Sequence, residues 1–437
     1  MNKTNIKQIV FEQKGEIGEI LHGRMIQRTI QPRFVEMFST DLIKVVMGVR
    51  RCGKSILALQ SLAGKSYGYV NFDDERLIGV KTSDLNHFLE AVKEIDPAAT
   101  FLLLDEVQNV EGWELFVSRL KRKGYNVVVT GSNSKLLSRE LATHLTGRHF
   151  SIDLYPFSFL EFLAYRQFTP DADGNYSTEQ RAEIKRHLEE FLEFGGFPEV
   201  WRLDAKRMYL RELFDRIISR DIISRYGIKY VRDLKELALY AISNFSSRIT
   251  YHKIRNLFDI KSVHTVKNYL HFLQEAYLLY QVESFSFKLK ERLTGPRKIY
   301  CIDTGLINSI VPGMSGNKGR LMENVVFLEL KRRGNEIYTY LNAKSEVDFL
   351  VREGLKVTQL IQVCFSLADP QTKKREMKAL AKAAGELKCR DLSVITWDEE
   401  GGERLGTADV KFVPLWKWLL HADIPATNFR HVAKETP

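Results

Sequence analysis

The chain has 437 residues, room for about three domains at roughly 150 residues each, and its 44% hydrophobic and 27% charged residues exclude a disordered, collagen-like or coiled-coil protein. No apolar run approaches the roughly 18 residues that a membrane span requires. The formal net charge is +10, and residues 201–300, with 20 Lys and Arg against 10 Asp and Glu, hold an excess equal to all of it, which points to an acidic partner with nucleic acid first. A solvated basic face with no partner is the plainer alternative. At the N-terminus, residues 1–19 mix Lys and Glu without an apolar h-region, so no secretory signal is expected. Cys52, Cys301, Cys364 and Cys389 lie far apart with no CxxC pair, which argues against a zinc site or disulfide framework and predicts a reducing, cytoplasmic setting.

From Asp41 the sequence DLIKVVMGVRRCGKSILALQSL predicts an apolar strand over 43–47, a glycine-bounded loop and a helix beginning at Lys54. The loop Gly48, Val49, Arg50, Arg51, Cys52, Gly53, Lys54, Ser55 fits G-x-x-x-x-G-K-[ST] in the strand-loop-helix setting that motif needs. Its glycines let successive N–H groups curl around phosphate, with Lys54 reaching the β and γ phosphates and Ser55 ligating Mg²⁺. The run FLLLDE over 101–106 reads as a strand buried on both faces that ends in two carboxylates. Asp105 is the expected Mg²⁺ holder and Glu106 the base that orients and deprotonates the attacking water. An ordinary Gly turn, and an acid pair that merely opens a loop, are the bland readings; the agreement of the two motifs argues against both.

A third strand over 126–130 leads into Gly131, Ser132, Asn133 and Ser134. Ser132 and Asn133 are candidates to sense the γ-phosphate or the lytic water, against a plain Ser/Asn helix cap. Arg148 offers a guanidinium for transition-state charge, in cis or across a subunit boundary, against a structural salt bridge. The pattern is then helical to Gly195 with one break at 169–175 (TPDADGN), and helix-rich sequence continues to Ile228 as a lid.

Residues 231–287 read as three short helices and a hairpin-like segment. In the third helix, with Ser262 as N-cap, Val263, Val266, Leu270 and Leu273 form one stripe, while His264, Lys267, Asn268 and His271 project from another face. That layout resembles the recognition helix of a winged helix, with the wing made by the alternating stretch 278–282 and a basic turn containing Lys288, Lys290 and Arg292. Such a module binds DNA or, alternatively, another protein. Farther on, Glu323 on an amphipathic helix, Asp348 on a strand and Gln362-Val363-Cys364 on the next resemble the metal site of PD-(D/E)XK nucleases. Glutamine is a tolerable substitute for the acid, but Cys364 cannot replace the lysine's fixed charge, so a domain that holds DNA or only packs is expected rather than a cleaving one.

GVRRCGKS, FLLLDEVQNV, VVVTGSNSKLL, LTGRHFSIDLYPFSFLEF and FGGFPEV together resemble the bacterial and archaeal AAA-type ATPases whose C-terminal half carries a restriction-nuclease-like domain. The resemblance spans nearly the whole chain and implies an α/β architecture. Its parts are a P-loop AAA-like core over 1–155, a helical lid over 156–228, a winged-helix-like domain over 229–295 and a PD-(D/E)XK-like domain over 296–437. It implies an arginine ahead of the P-loop, Arg24 or Arg28, near the nucleotide; the motifs themselves call for ATP and Mg²⁺ as cofactors, and a homo-oligomer is expected, as Arg148 acting in trans would require. The leading functional expectation is an ATPase whose nucleotide state controls engagement of DNA. The alternatives are a nucleotide-gated switch acting on a protein partner, as in STAND-type signalling ATPases, and an ATP-dependent nuclease.

Overall fold

The computed structural model describes residues 2–22, 25–132, 148–171, 174–311, 313, 316–342, 345–405 and 408–421. They fall into two compact units that part at residues 155/156, with residues 275–277 counted with the first. Asn133 and Arg24 lie outside the described residues. Among the described residues no helix is long and apolar enough to cross a membrane.

The first unit is built on a five-stranded sheet of β1 (Ile43–Met47), β2 (Tyr67–Asn71), β3 (Phe101–Asp105), β4 (Asn126–Gly131) and β5 (His149–Asp153) in the order β2-β3-β4-β1-β5. Every pairing is parallel. The central strands are apolar on both faces because helices cover both sides: all five residues of β1 are buried, and Val127, Val128 and Val129 of β4 are at most 1% exposed. The helix Lys54–Ser61 follows β1 directly, as the sequence predicts. The helix Lys3–His22 lays Ile6, Ile9, Val10 and Ile17 into the core.

The second unit opens with the helices Phe159–Tyr165, Thr178–Phe194 and Lys206–Arg216. Ser158 with Glu161, and Ser177 with Gln180, close capping boxes at the first two. The glycines of FGGFP are dictated by close approach. Gly195 sits at φ 76°, where a Cβ would stand 2.0 Å from Asp303 Oδ1, and a Cβ on Gly196 would stand 2.4 Å from the Phe157 carbonyl. The Asp303 carboxylate accepts the Gly196 N–H at 2.6 Å and caps the helix Thr304–Ile310 through the Leu306 N–H at 3.1 Å. Asn308 of that helix donates to the Leu192 and Glu193 carbonyls, both at 3.0 Å.

Next come the helices Val231–Ser243, Tyr251–Leu257 and Val263–Glu275, interleaved with a three-stranded antiparallel sheet of β6 (Ser247–Ile249), β7 (Leu279–Glu283) and β8 (Arg297–Cys301) in the order β6-β8-β7. The central strand β8 lies past residue 295, so this module runs to at least Cys301, beyond the boundary read from sequence. The basic segment after β7 is not a turn but carries a short helix, Leu289–Thr294. The last part is a six-stranded mixed sheet in the order β13-β14-β12-β11-β10-β9, formed by β9 (Glu336–Asn342), β10 (Ser345–Glu353), β11 (Lys356–Val363), β12 (Leu392–Thr396), β13 (Gly401–Leu405) and β14 (Ala408–Pro414). The helix Pro370–Leu387 buries Met377, Leu380 and Ala383 against Leu350, Leu360 and Leu392 of this sheet. The helix Lys318–Arg332 stacks Phe327 on Tyr300 of β8 with ring centroids 4.2 Å apart.

Burial pushes the Asp303 carboxyl up from 3.8 to about 7, against the pull of the backbone N–H groups of Gly196, Leu306 and Gly305. The folded chain therefore holds this proton more tightly than the unfolded one. The stabilisation is complete below about pH 3.8 and is lost as pH rises through about 7. Urea unfolding of Asp303→Asn should show a flatter pH dependence over that window than the wild type; an identical profile would remove Asp303 as its source.

Candidate nucleotide site

The site lies at the carboxyl ends of β1, β4 and β3, neighbours in that order, where open parallel sheets bind ligands. The loop after β1 has the shape its glycines require. A Cβ on Gly48 would stand 2.1 Å from the Leu154 carbonyl oxygen, and Gly53 takes φ 98° as the residue that opens the helix Lys54–Ser61. Arg51 is left-handed at φ 66°. Beneath the loop, the buried Arg28 donates to the carbonyls of Cys52 at 2.8 Å and Tyr155 at 2.6 Å. Arg28 thus braces the loop from inside, and of the two arginines considered from sequence it is the one described. Arg50 reaches Asp73 at 3.4 Å, and burial raises the Cys52 thiol above its ordinary pKa.

Lys54 is 5% exposed, and its ammonium lies 3.3 Å from both the Val49 carbonyl and Glu106 Oε1. Burial works against its charge, but Glu106, Cys52 and Asp105 together hold the ammonium above its ordinary pKa. Burial likewise opposes ionisation of Glu106, yet Lys54, Arg50 and a hydrogen bond from Gln108 bring its pKa down to about 2. Glu106 has a left-handed backbone, φ 49°, and its Oε2 accepts from the Ser132 N–H at 3.2 Å and from the Gln108 amide. Asp105 is fully buried; burial and then the Glu106 charge raise its pKa, while the Thr130 and Ser55 hydroxyls act the other way. Thr130, near the end of β4, donates to Asp105 Oδ1 and accepts the Glu106 N–H at 3.1 Å, and Tyr69 donates to Asp105 Oδ2 at 3.2 Å.

The structure thus brings together Gly48, Val49, Arg50, Arg51, Cys52, Gly53, Lys54, Ser55, Asp105, Glu106 and Ser132. Ser132 is 1% exposed, and its hydroxyl finds no hydrogen-bond partner among the described residues. Arg148 is not brought to them. It is exposed, its carbonyl accepts the Ile43 N–H at 3.0 Å, and the next residue, His149, pairs with Ile43 at the opposite end of β1 from the loop, about 13 Å of strand rise away. Sequence reasoning missed Thr130, Tyr69 and Gln108. A threonine closing the strand that separates the two motif strands was the available signal for the first.

In the second unit, His264, Lys267 and His271 are exposed on the helix Val263–Glu275, and Asn268 is half-buried with its amide 3.2 Å from His264 Nδ1. Val266, Leu270 and Leu273 of the opposite stripe are at most 1% exposed, whereas Val263 is half-buried. Lys267 lies 5.3 Å from the Tyr251 ring centroid. Glu323, Asp348 and Gln362 also converge, around a residue the sequence did not single out. The Lys298 ammonium of β8 lies 2.7 Å from Glu323, 2.8 Å from Asp348 and 3.2 Å from Glu346. Burial and the Asp348 charge push the Glu323 carboxyl up to about 8, because one ammonium serves three carboxylates; burial opposes the Lys298 charge, but the acids hold it protonated.

Residues 40–163 match the model of an AAA domain, and residues 185–317 match a domain of unknown function, DUF8612. An uncharacterized protein of Methanocaldococcus jannaschii is 38% identical over 438 residues, covering 95% of this chain and 96% of that protein. The chain belongs to the same family as that protein. An uncharacterized protein of Haemophilus influenzae is 33% identical over 356 residues, covering 77% of this chain and 86% of its own. Among solved structures, a Walker-type ATPase of Pyrococcus abyssi aligns with TM-score 0.40 and 13% identity, covering 65% of this chain and 96% of that one. Over residues 40–163 this chain thus carries an AAA-type P-loop domain.

Thr130→Val keeps the side chain's shape but strips the hydroxyl that joins Asp105 to the Glu106 backbone. It should destabilise the protein by about 1–3 kcal/mol in urea unfolding, because two buried polar groups lose a partner, while Thr130→Ser retains most of the stability. Equal stability of Thr130→Val and wild type would show that the hydroxyl joins nothing of consequence.

Proposed function

We propose that the protein binds and hydrolyses ATP with Mg²⁺ and uses its nucleotide state to control engagement of DNA. The observation that carries the reading is the Lys54–Glu106 ion pair at the mouth of the P-loop, beside Asp105 and Ser55. The residues present suit the nucleotide. The loop offers backbone N–H groups and a buried ammonium for phosphate, the Ser132 hydroxyl is buried with no partner among the described residues, and Ser55 and Asp105 supply the hard oxygen donors that Mg²⁺ takes. Bound Mg²⁺ would neutralise charge that develops on the phosphates.

Lys54 transfers its charge from Glu106 to the β and γ phosphates. Glu106 is thereby released from the partner that contributes most to its low pKa and becomes a stronger base, positioned by Gln108 and the Ser132 N–H to orient and deprotonate water. Ser132 and, by sequence, Asn133 report the γ-phosphate. Arg148, at the far end of β1 from its own loop, serves the reaction from a second copy of the chain, which makes the working form a homo-oligomer. The module 231–301 engages DNA as a winged helix: three helices and a three-stranded sheet follow one another in the winged-helix order, and His264, Lys267 and His271 stand on the exposed face.

The deciding experiment is ATP hydrolysis by the purified protein with and without duplex, single-stranded and branched DNA, with Lys54→Ala as the blank. DNA-stimulated turnover supports the reading; ATP binding with no response to any DNA moves the partner of the 231–301 module to protein. Glu106→Gln removes the carboxylate that competes with phosphate for Lys54. It should bind ATP a few-fold tighter by calorimetry while turnover falls by about 10² or more. Unaltered turnover would take the base role from Glu106. Lys267→Ala should reduce the salt slope of DNA affinity by about one unit if that ammonium meets a phosphate. A slope equal to wild type counts against the helix as the DNA-facing element.

A further inference from the structure

Glu323, Asp348 and Gln362, whose pattern in the sequence resembles the divalent-ion site of PD-(D/E)XK enzymes, are brought together in the second unit around a group that does not suit one. The ammonium of Lys298, 4% exposed, stands among Glu323, Asp348 and Glu346 at 2.7, 2.8 and 3.2 Å. The two shorter separations are those of charge-assisted N–H···O bonds, so the place between the acids is filled by an ammonium. The ammonium donates hydrogen bonds to Asp348 and Glu346 and is ion-paired with Glu323. Each acid has a further partner as well. Glu323 Oε1 also accepts from Tyr300 at 2.7 Å, Asp348 Oδ2 accepts the Val363 N–H at 3.0 Å, and Glu346 Oε2 pairs with Arg248 at 2.6 Å. Gln362 turns its carbonyl oxygen to the Asp348 N–H at 3.2 Å and its amide to Glu376, so it offers no free ligand. Among the described residues, no group of three or more His, Cys, Asp or Glu side chains is arranged to hold a metal ion.

We propose that Lys298 is the built-in cation of this centre, standing in the place of a divalent ion and tying β8 to the helix Lys318–Arg332 and to β10. The consequence is architectural. β8 is the central strand of the three-stranded sheet, Glu323 lies on the helix that packs over it, and Glu346 and Asp348 belong to the six-stranded sheet. One ammonium therefore fastens three elements of the second unit without any metal. It also makes the centre a latent cation site: once the ammonium is removed the acids lose their counter-charge, and by closing together around the space it leaves they can take a divalent ion in its place.

The test is Mn²⁺ binding by the nucleotide-free full chain, read from the electron paramagnetic resonance of free Mn²⁺, for wild type and Lys298→Ala, each with and without Asp348→Asn. Asp348→Asn should leave the Mn²⁺ bound by wild type unaltered. Lys298→Ala should gain one further Mn²⁺ per chain, and Lys298→Ala with Asp348→Asn should lose it. The proposal is overturned by Mn²⁺ binding to wild type that depends on Asp348, or by a Lys298→Ala protein that circular dichroism shows to be folded and that gains none. If Lys298→Ala does not fold, the wild-type pair decides alone.

Discussion

A lysine charge buried at the end of a parallel sheet has to be met by an anion, and the geometry of the first unit is arranged around that requirement. Lys54 is 5% exposed, and its counter-charge is Glu106. For Glu106 to reach it, the backbone after β3 must turn at once into the left-handed region, φ 49°, a conformation that costs a non-glycine residue free energy. Thr130 holds that turn by accepting the Glu106 N–H while donating to Asp105. It can do so because β4 lies between β1 and β3. Strand order, the special backbone angle and the ion pair are thus one constraint seen at three scales.

Lys298 obeys the same rule with a different outcome. Lys54 has one carboxylate partner, whose side chain is 15% exposed, and a carbonyl, so a polyanion entering from solvent can take over its charge. Lys298 is surrounded by three carboxylates, and each has a further partner: Tyr300 on Glu323, Val363 on Asp348, Arg248 on Glu346. An anion has nothing to gain there, and the place of a cation is already taken by the ammonium. The first lysine is therefore suited to exchange partners and the second to fasten, although both are buried ammonium groups paired with acids.

The sequence was most informative where chemistry and neighbourhood coincide. In the P-loop, the glycines, Lys54 and Ser55 lie within eight residues, and the strand-loop-helix around them is set by local periodicity, so its placement was legible. FLLLDE was legible as a strand end for the same reason. Thr130 was harder, since its value comes from β4 being the neighbour of β3, a fact of sheet order. Lys298 was not legible at all. Its three partners lie 25, 48 and 50 positions away on a helix and another strand, and in the sequence it is one more basic residue beside Arg297. The positive charge at this centre comes from β8 of the three-stranded sheet, not from the strand that carries Gln362. Gly195 and Gly196 stood in the sequence only as part of FGGFPEV, and what they make room for, the Asp303 carboxylate and the Phe157 carbonyl, is set by packing.

Arg148 shows how a parallel sheet constrains the proposed cycle. All five strands run the same way, so the phosphate loop, Asp105, Glu106 and Ser132 gather at one end of the sheet, while Arg148, just ahead of β5, is left at the other. His149 pairs with Ile43, and no rotamer of Arg148 spans the length of β1 to the loop that follows Met47. An arginine at that edge either does nothing for catalysis or does it for another molecule. The same strand register that builds the nucleotide site therefore removes the cis alternative and makes oligomerisation the condition under which Arg148 can contribute to turnover.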